Sequence, residues 1–127
     1  YTVTLDNRSG KQMKNIQVFY RLFWTTDFSR GGSKIHKVSG NFNVEALADR
    51  SKRALDTEVV KLYRMYSSQQ DIGTDSRGNT TSSTSYNKLS EDDVEGIRVR
   101  VLITMPSGNK FTRELCEPSS LSDKYIW

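Results

Sequence analysis

Met13–Trp24 reads MKNIQVFYRLFW, a stretch too apolar for a loop and too rich in aromatic and β-branched residues for a comfortable helix. Ile16, Val18, Tyr20, Leu22 and Trp24 alternate with Gln17, Phe19, Arg21 and Phe23. That period of two predicts one long strand with a fully apolar face and a mixed one. Such a strand belongs in the middle of a sheet whose inner side packs on a second sheet.

Before it, Tyr1, Val3 and Leu5 alternate with Thr2, Thr4 and Asp6 and run into Asn7-Arg8-Ser9-Gly10. A short strand and a turn are expected there, making a first hairpin with the Met13 strand. After it, Thr25 to Ser33 reads as a polar loop around Gly31 and Gly32. Ile35, Val38, Phe42 and Val44 mark a third strand region, broken near Ser39-Gly40, where a glycine suggests a bulge or an edge. Val44–Arg50 (VEALADR) holds the only good helix formers, and at barely two turns it supports no more than a short helix or turn. One strand is expected between Lys52 and Tyr66, broken at Asp56. Residues 67–90 (SSQQDIGTDSRGNTTSSTSYNKLS) offer almost nothing to bury and read as a long flexible loop. Ile97, Val99, Val101 and Ile103 then alternate with Arg98, Arg100, Leu102 and Thr104. Pro106-Ser107-Gly108-Asn109 turns the chain into Lys110–Glu117, which completes a hairpin. The closing Tyr125, Ile126 and Trp127 are expected to pack back on the body.

About seven short strands with hardly any helix predict an all-β fold: a two-sheet antiparallel immunoglobulin-like sandwich, in one domain over residues 1–127, with the 67–90 segment as its one long loop. The alternative is a half-open barrel such as the OB-fold. The Cys–Trp–Cys signature of antibody domains is absent, so the expectation rests on strand pattern.

At 127 residues the chain is long enough for a core without staples. Its hydrophobic fraction of 35% is low, which assigns part of it to solvated segments. The net charge is +4, yet 19 cations are interspersed with 15 anions, unlike the concentrated basic face of a dedicated nucleic-acid binder. One cysteine and one histidine rule out an internal disulfide and a Cys/His zinc set. No run of 18 apolar residues occurs and no signal-like apolar region precedes the first strand. Because the chain begins at Tyr1, it is expected to be an excerpt or a processed form.

The candidate motifs are weak as chemistry. Gly31-Gly32-Ser33-Lys34 lacks the order of a phosphate loop and precedes no helix. Glu91, Asp92, Asp93 and Glu95 could offer hard oxygens to calcium, but their spacing is not that of an EF-hand; they read as a solvated lead-in to a strand, with Gly96 easing a bulge. His36, flanked by Lys34 and Lys37, is expected to be exposed and without catalytic partners. Cys116, between Glu114 and Glu117, reads as a small strand residue rather than a nucleophile. Asn7-Arg8-Ser9 and Asn79-Thr80-Thr81 satisfy the glycosylation sequon. No cofactor, metal site or catalytic set is expected.

Arg21, Arg98 and Arg100 fall with Phe19 and Phe23 on the outer faces of two central strands. They are the candidate binding residues, as a protein-contact surface or a platform for single-stranded nucleic acid. Cross-strand ion pairs with Glu58, Glu95 or Glu114 are the plainer expectation.

Four segments together carry a family resemblance: Asn7-Arg8-Ser9 with Met13–Arg21, Gly40–Leu47, Val94–Arg100, and Pro118 through Leu121 to Trp127. The chain resembles uncharacterised secreted domains of the Verrucomicrobia and Planctomycetes group of bacteria. The resemblance implies an immunoglobulin-like domain, exported to the periplasm, outer membrane or cell surface, with no catalytic residues in the shared pattern. A similar domain in the gut genus Akkermansia is associated with type IV pilus proteins. The expected function is therefore non-enzymatic protein–protein contact or self-association, with an OB-like single-strand binder as the alternative and nucleic acid as the less favoured partner.

Overall fold

The computed structural model describes every residue except Pro106 and Ile126. Its strands are β1 (Thr2–Asp6), β2 (Met13–Phe28), β3 (Ser33–Leu47), β4 (Lys52–Asp56), β5 (Arg64–Thr74), β6 (Thr80–Thr104) and β7 (Lys110–Glu117), followed by one helical turn, α1 (Leu121–Lys124). The chain is all-β, with two antiparallel sheets: β1 with β4, and a five-stranded sheet in the order β3-β2-β6-β5 with β7 also on β6. The Met13 strand lies between β3 and β6, as its apolar face requires.

Several expected boundaries move. β1 pairs with β4, from Thr2↔Asp56 to Asp6↔Lys52, and makes no hairpin with β2. The cause is Asn7. Its backbone N–H donates to the Ser51 carbonyl at 3.0 Å, and its buried amide donates to the carbonyls of Lys11 (2.7 Å) and Leu47 (2.9 Å). This sends the following residues into the other sheet.

Residues 67–90 are not a loop. The β5–β6 ladder runs from Arg64↔Glu91 to Thr74↔Thr80 with one irregularity at Met65/Tyr66. Thr81 Oγ1 adds a bond to the Gly73 carbonyl at 3.2 Å. The turn is closed by Asp75, whose Oδ1 accepts the N–H groups of Arg77 and Asn79, both at 2.9 Å, beside Gly78 at φ 82°. The polar composition reported the lack of a core, which is a different property from the lack of a ladder.

Val44–Leu47 continues β3, and the turn follows at Asp49-Arg50. The Lys52–Tyr66 region is two strands, β4 and the start of β5. β2 extends to Phe28, so the Thr25–Ser33 loop shrinks to a tight turn in which Gly31 N–H donates to the Phe28 carbonyl at 3.0 Å.

The fold divides into two compact units, residues 1–24, 36–60 and 95–127, and residues 25–35 and 61–94. The core of the first is Ile16, Val18, Tyr20 and Leu22 of β2 with Val44, Leu47, Leu55, Ile97 and Val99, against which Val3 and Leu5 of β1 pack. Side chains of both sheets thus meet in one apolar cluster, each fully buried one contributing about 1.5–3 kcal/mol. Two glycines serve that packing. The Tyr20 ring lies where a Cβ on Gly40 would sit, and the Glu117 carbonyl where one on Gly96 would sit, at φ 148°. Gly40 lies in β3, an edge strand, in keeping with its expected role.

The second unit is polar. Asp92 accepts from the Thr26 hydroxyl and from the Tyr63 N–H (3.0 Å), and the Ser29 N–H donates to the Leu89 carbonyl at 3.0 Å. Side chains on both faces of its hairpin are exposed, including Ile72 and Tyr86.

Candidate functional site

The five outer-face residues come together, but not as an open platform. Phe23 and Arg98 are buried, at 3% and 8% exposure, while Phe19, Arg21 and Arg100 are partly covered. The cover is the end of the chain. Tyr125 stacks on Phe23 with ring centroids 4.6 Å apart and planes 4° from parallel, and Leu121 and Cys116 complete this second apolar cluster. Ile126, expected to pack there too, lies outside the described residues.

Trp127 sits within cation–π reach of all three arginines, with the Arg21, Arg98 and Arg100 guanidinium carbons 5.1, 5.7 and 4.5 Å from its ring centroid. Arg98 also donates to the Tyr125 carbonyl and pairs with Glu114, which reaches Arg100 at 3.3 Å. Register explains the pairing, because Glu114 lies directly opposite Arg100 and one step from the Arg98↔Cys116 pair. The guanidiniums hold the Glu114 carboxyl below the usual carboxylate range, Arg98 foremost. Cross-strand ion pairing, the plainer sequence expectation, describes Arg98 and Arg100 correctly. As a surface for nucleobases the outer face is closed at Phe23 and Arg98, which lie on it as expected from alternation but are buried beneath Tyr125 and Trp127.

Other single residues resolve as structure. His36 is half-buried rather than exposed, its ring stacked on Trp24 at 5.1 Å. Glu91 pairs with Arg64 and Lys88, and Glu95 with Lys124. Among the described residues no group of three or more His, Cys, Asp and Glu gathers as a metal site. Asn7 is 2% exposed and its amide nitrogen is engaged, so the first sequon is inaccessible in the folded chain; Asn79 is exposed.

An open apolar surface lies on the inner side of the five-stranded sheet. Phe111, Arg113 and Leu115 of β7 lie opposite Ile103, Val101 and Val99, and so share the face that β1 and β4 cover over β2. Over β7 that cover ends, leaving Leu115 68% and Phe111 50% exposed. Between β1 and β7 runs a groove of about 660 Å³, floored by Met13, Val101 and Ile103, within the range of about 300–1,000 Å³ typical of binding clefts. Sequence reasoning missed it. Its one available signal was the apolar alternation of Phe111 and Leu115, which reads equally well as core.

Comparison with protein-family models, with curated proteins and with solved structures finds no match.

Proposed function

We propose that the chain is a non-enzymatic, immunoglobulin-like domain of a bacterial envelope or surface protein that acts by protein–protein contact, in the company of pilus or other exported proteins. The observation that carries the contact role is the uncovered apolar face of β7 with its groove against β1. Exposed Phe and Leu side chains lining one cleft are the composition of a contact surface rather than of a solvated sheet face. The envelope setting rests on the sequence resemblance. The alternative, a single-strand binder, has two of its five candidate side chains already packed under the chain's own end.

The test compares wild type with Leu115→Lys, which charges the groove at an exposed position, by sedimentation and by retention on immobilised envelope protein. Self-association or retention that is lost in the variant supports the reading. A wild-type chain that stays monomeric at high concentration and is retained by nothing overturns it.

A further inference from the structure

The β5–β6 register sorts the side chains of that hairpin onto two faces. Tyr66 lies opposite Lys88, Ser68 opposite Tyr86, Gln70 opposite Thr84 and Ile72 opposite Ser82. With the strand period of two, Tyr66, Tyr86 and Ile72 therefore share one face. The pairs between them, Ser67 with Asn87, Gln69 with Ser85 and Asp71 with Ser83, belong to the other face and are polar throughout. Tyr66 is 52% exposed, and Tyr86 and Ile72 are each 71% exposed. Water reaches both faces, so hydration alone does not explain why these large side chains all sit on one of them. Side-chain hydrogen bonds follow the same division. Gln69 donates to Asp71 at 3.4 Å, Thr81 to the Gly73 carbonyl at 3.2 Å and Ser85 to the Gln69 carbonyl at 3.5 Å, all on the polar face. Beside the tyrosines, the side chains of Ser68, Gln70, Ser82 and Thr84 make no such bond among the described residues.

Charge and width limit what the tyrosine face can hold. From Tyr66 to the turn its one charge is Lys88, already paired with Glu91, which also takes Arg64. Single-stranded nucleic acid needs free cations along its phosphates as well as rings to stack on, and this face has the rings without the cations. The ladder from Tyr66↔Lys88 to Thr74↔Thr80 is two strands wide, about 30 Å by 10 Å. Its area of roughly 300 Å² falls well short of the about 800 Å² per partner of a standard protein interface. A long, narrow strip with little free charge suits an extended polymer of small uncharged rings.

We propose that this face of the β5–β6 hairpin binds a neutral, linear polysaccharide laid along the ladder. A pyranose ring presents C–H groups on its faces and hydroxyls around its rim. Tyrosine matches both, with an apolar ring to stack on the sugar face and a hydroxyl at its tip. Tyr66 and Tyr86 are diagonal neighbours across the two strands, with Cα atoms about 7–8 Å apart, so their rings take neighbouring stretches of one glycan chain. Gln70 offers an amide that donates and accepts, and Ser68, Ser82 and Thr84 offer hydroxyls that do the same. These are the uncharged groups that sugar hydroxyls pair with, and on this face they are unspent. Ile72 continues the apolar line toward the turn. The site goes beyond the protein-contact reading and uses neither β7 nor its groove.

The experiment is native affinity electrophoresis of the full chain through gels containing hydroxyethylcellulose, mixed-linkage β-glucan or galactomannan, with alginate as the anionic comparison. Wild type is slowed by at least one of the three neutral polymers, equally at low and high salt, because no ion pair holds the ligand. Tyr66→Ala and Tyr86→Ala each weaken the retardation about 3–10-fold, the worth of one stacked ring, and the double variant abolishes it. Tyr86→Phe, which keeps the ring, stays within about 3-fold of wild type. Gln69→Ala, on the polar face, matches wild type. The tyrosines lie on different strands, so the second single variant holds the test open if the first disturbs the ladder. Unfolding midpoints of the exposed-site variants stay at the wild-type value, which separates lost binding from lost structure. A wild-type chain that none of the three neutral polymers slows overturns the inference. So does a double variant slowed as much as wild type, or a Gln69→Ala variant weakened as much as Tyr86→Ala. Retardation by alginate alone that vanishes in high salt is attraction to the chain's net positive charge and overturns it too.

Discussion

Replacing Asn7 by alanine tests the argument that one amide routes the chain between its two sheets. The side chain is 2% exposed. Its Nδ2 donates to the carbonyls of Lys11 at 2.7 Å, Leu47 at 2.9 Å and Ala48 at 3.2 Å, and its Oδ1 accepts from the Ser9 N–H at 3.0 Å and hydroxyl at 2.7 Å. Two amide hydrogens cannot serve three carbonyls equally, so the count is two full bonds and a shared one. A buried polar group left without its partner costs about 1–3 kcal/mol. The Leu47 bond is buried, whereas the Lys11 and Ser9 groups are near enough to the surface for water to replace part of what is lost. The expected loss is therefore about 2–4 kcal/mol, a large share of the roughly 5–15 kcal/mol of a typical domain. With a urea slope of about 2 kcal/mol/M, the unfolding midpoint falls by about 1–2 M. Asn7→Asp sharpens the test. It keeps the acceptor for Ser9 but turns a carboxylate oxygen toward three carbonyls, an arrangement the folded chain tolerates only when the acid is protonated. The folded pKa of that aspartate is then raised, so its stability is greatest below the unfolded value of about 3.9 and is lost as pH rises through the folded value. A midpoint shift in Asn7→Ala worth less than about 0.5 kcal/mol, or an Asn7→Asp variant no more stable at pH 3.5 than at pH 7 relative to wild type, refutes the reasoning.

Gly96→Ala, with its Cβ against the Glu117 carbonyl at φ 148°, is expected to lose about 2–4 kcal/mol in urea unfolding. Gly40→Ala displaces the Tyr20 ring and with it the bond from Glu58 N–H to Tyr20 Oη at 3.1 Å; about 1–3 kcal/mol is expected, and an unchanged midpoint would show that the ring is not held there. The Glu114 carboxyl is held low by Arg98 and then Arg100, so its contribution is present above the ordinary glutamate value of about 4.3 and disappears as pH falls through the lower folded value. Glu114→Gln should accordingly differ from wild type at neutral pH and converge with it in acid, and a difference independent of pH counts against the ion pair. Hydrogen exchange should protect Val18 and Val99 far more than Gln69–Thr74 and Thr80–Ser85, whose ladder has exposed side chains on both faces; equal protection would mean that the hairpin is covered.

The strands that carry a core were legible because their chemistry is local. Ile16–Leu22 and Ile97–Ile103 announce both element and face by alternation, and the β6–β7 pairing follows from a short turn. What stayed hidden was set by partners far away in sequence. Nothing near Thr2–Asp6 reveals that β4, some fifty residues on, is its neighbour, because two apolar alternations separated by a turn suit a hairpin equally well. The 67–90 segment misled for the opposite reason. Hydropathy detects burial, and a two-stranded ladder with both faces in water is invisible to it; threonine content and the Asp75–Asn79 turn were the only local traces. For the candidate site, alternation placed Phe19, Arg21, Phe23, Arg98 and Arg100 on the outer face correctly, but could not show that Tyr125 and Trp127 return to cover it.

That return changes where a partner can bind. A mixed sheet face with aromatic and arginine residues looks like a surface prepared for something, and here the something is the chain's own end: Tyr125 supplies the stacked ring and Trp127 the indole that the three guanidiniums share. The arginines stabilise the closing segment and, through Glu114, tie it to β7. With the outer side closed at Phe23 and Arg98 and only partly covered at Phe19, Arg21 and Arg100, the uncovered apolar face of Phe111 and Leu115 on the inner side of β7, with its groove against β1, is left as a surface open to a partner.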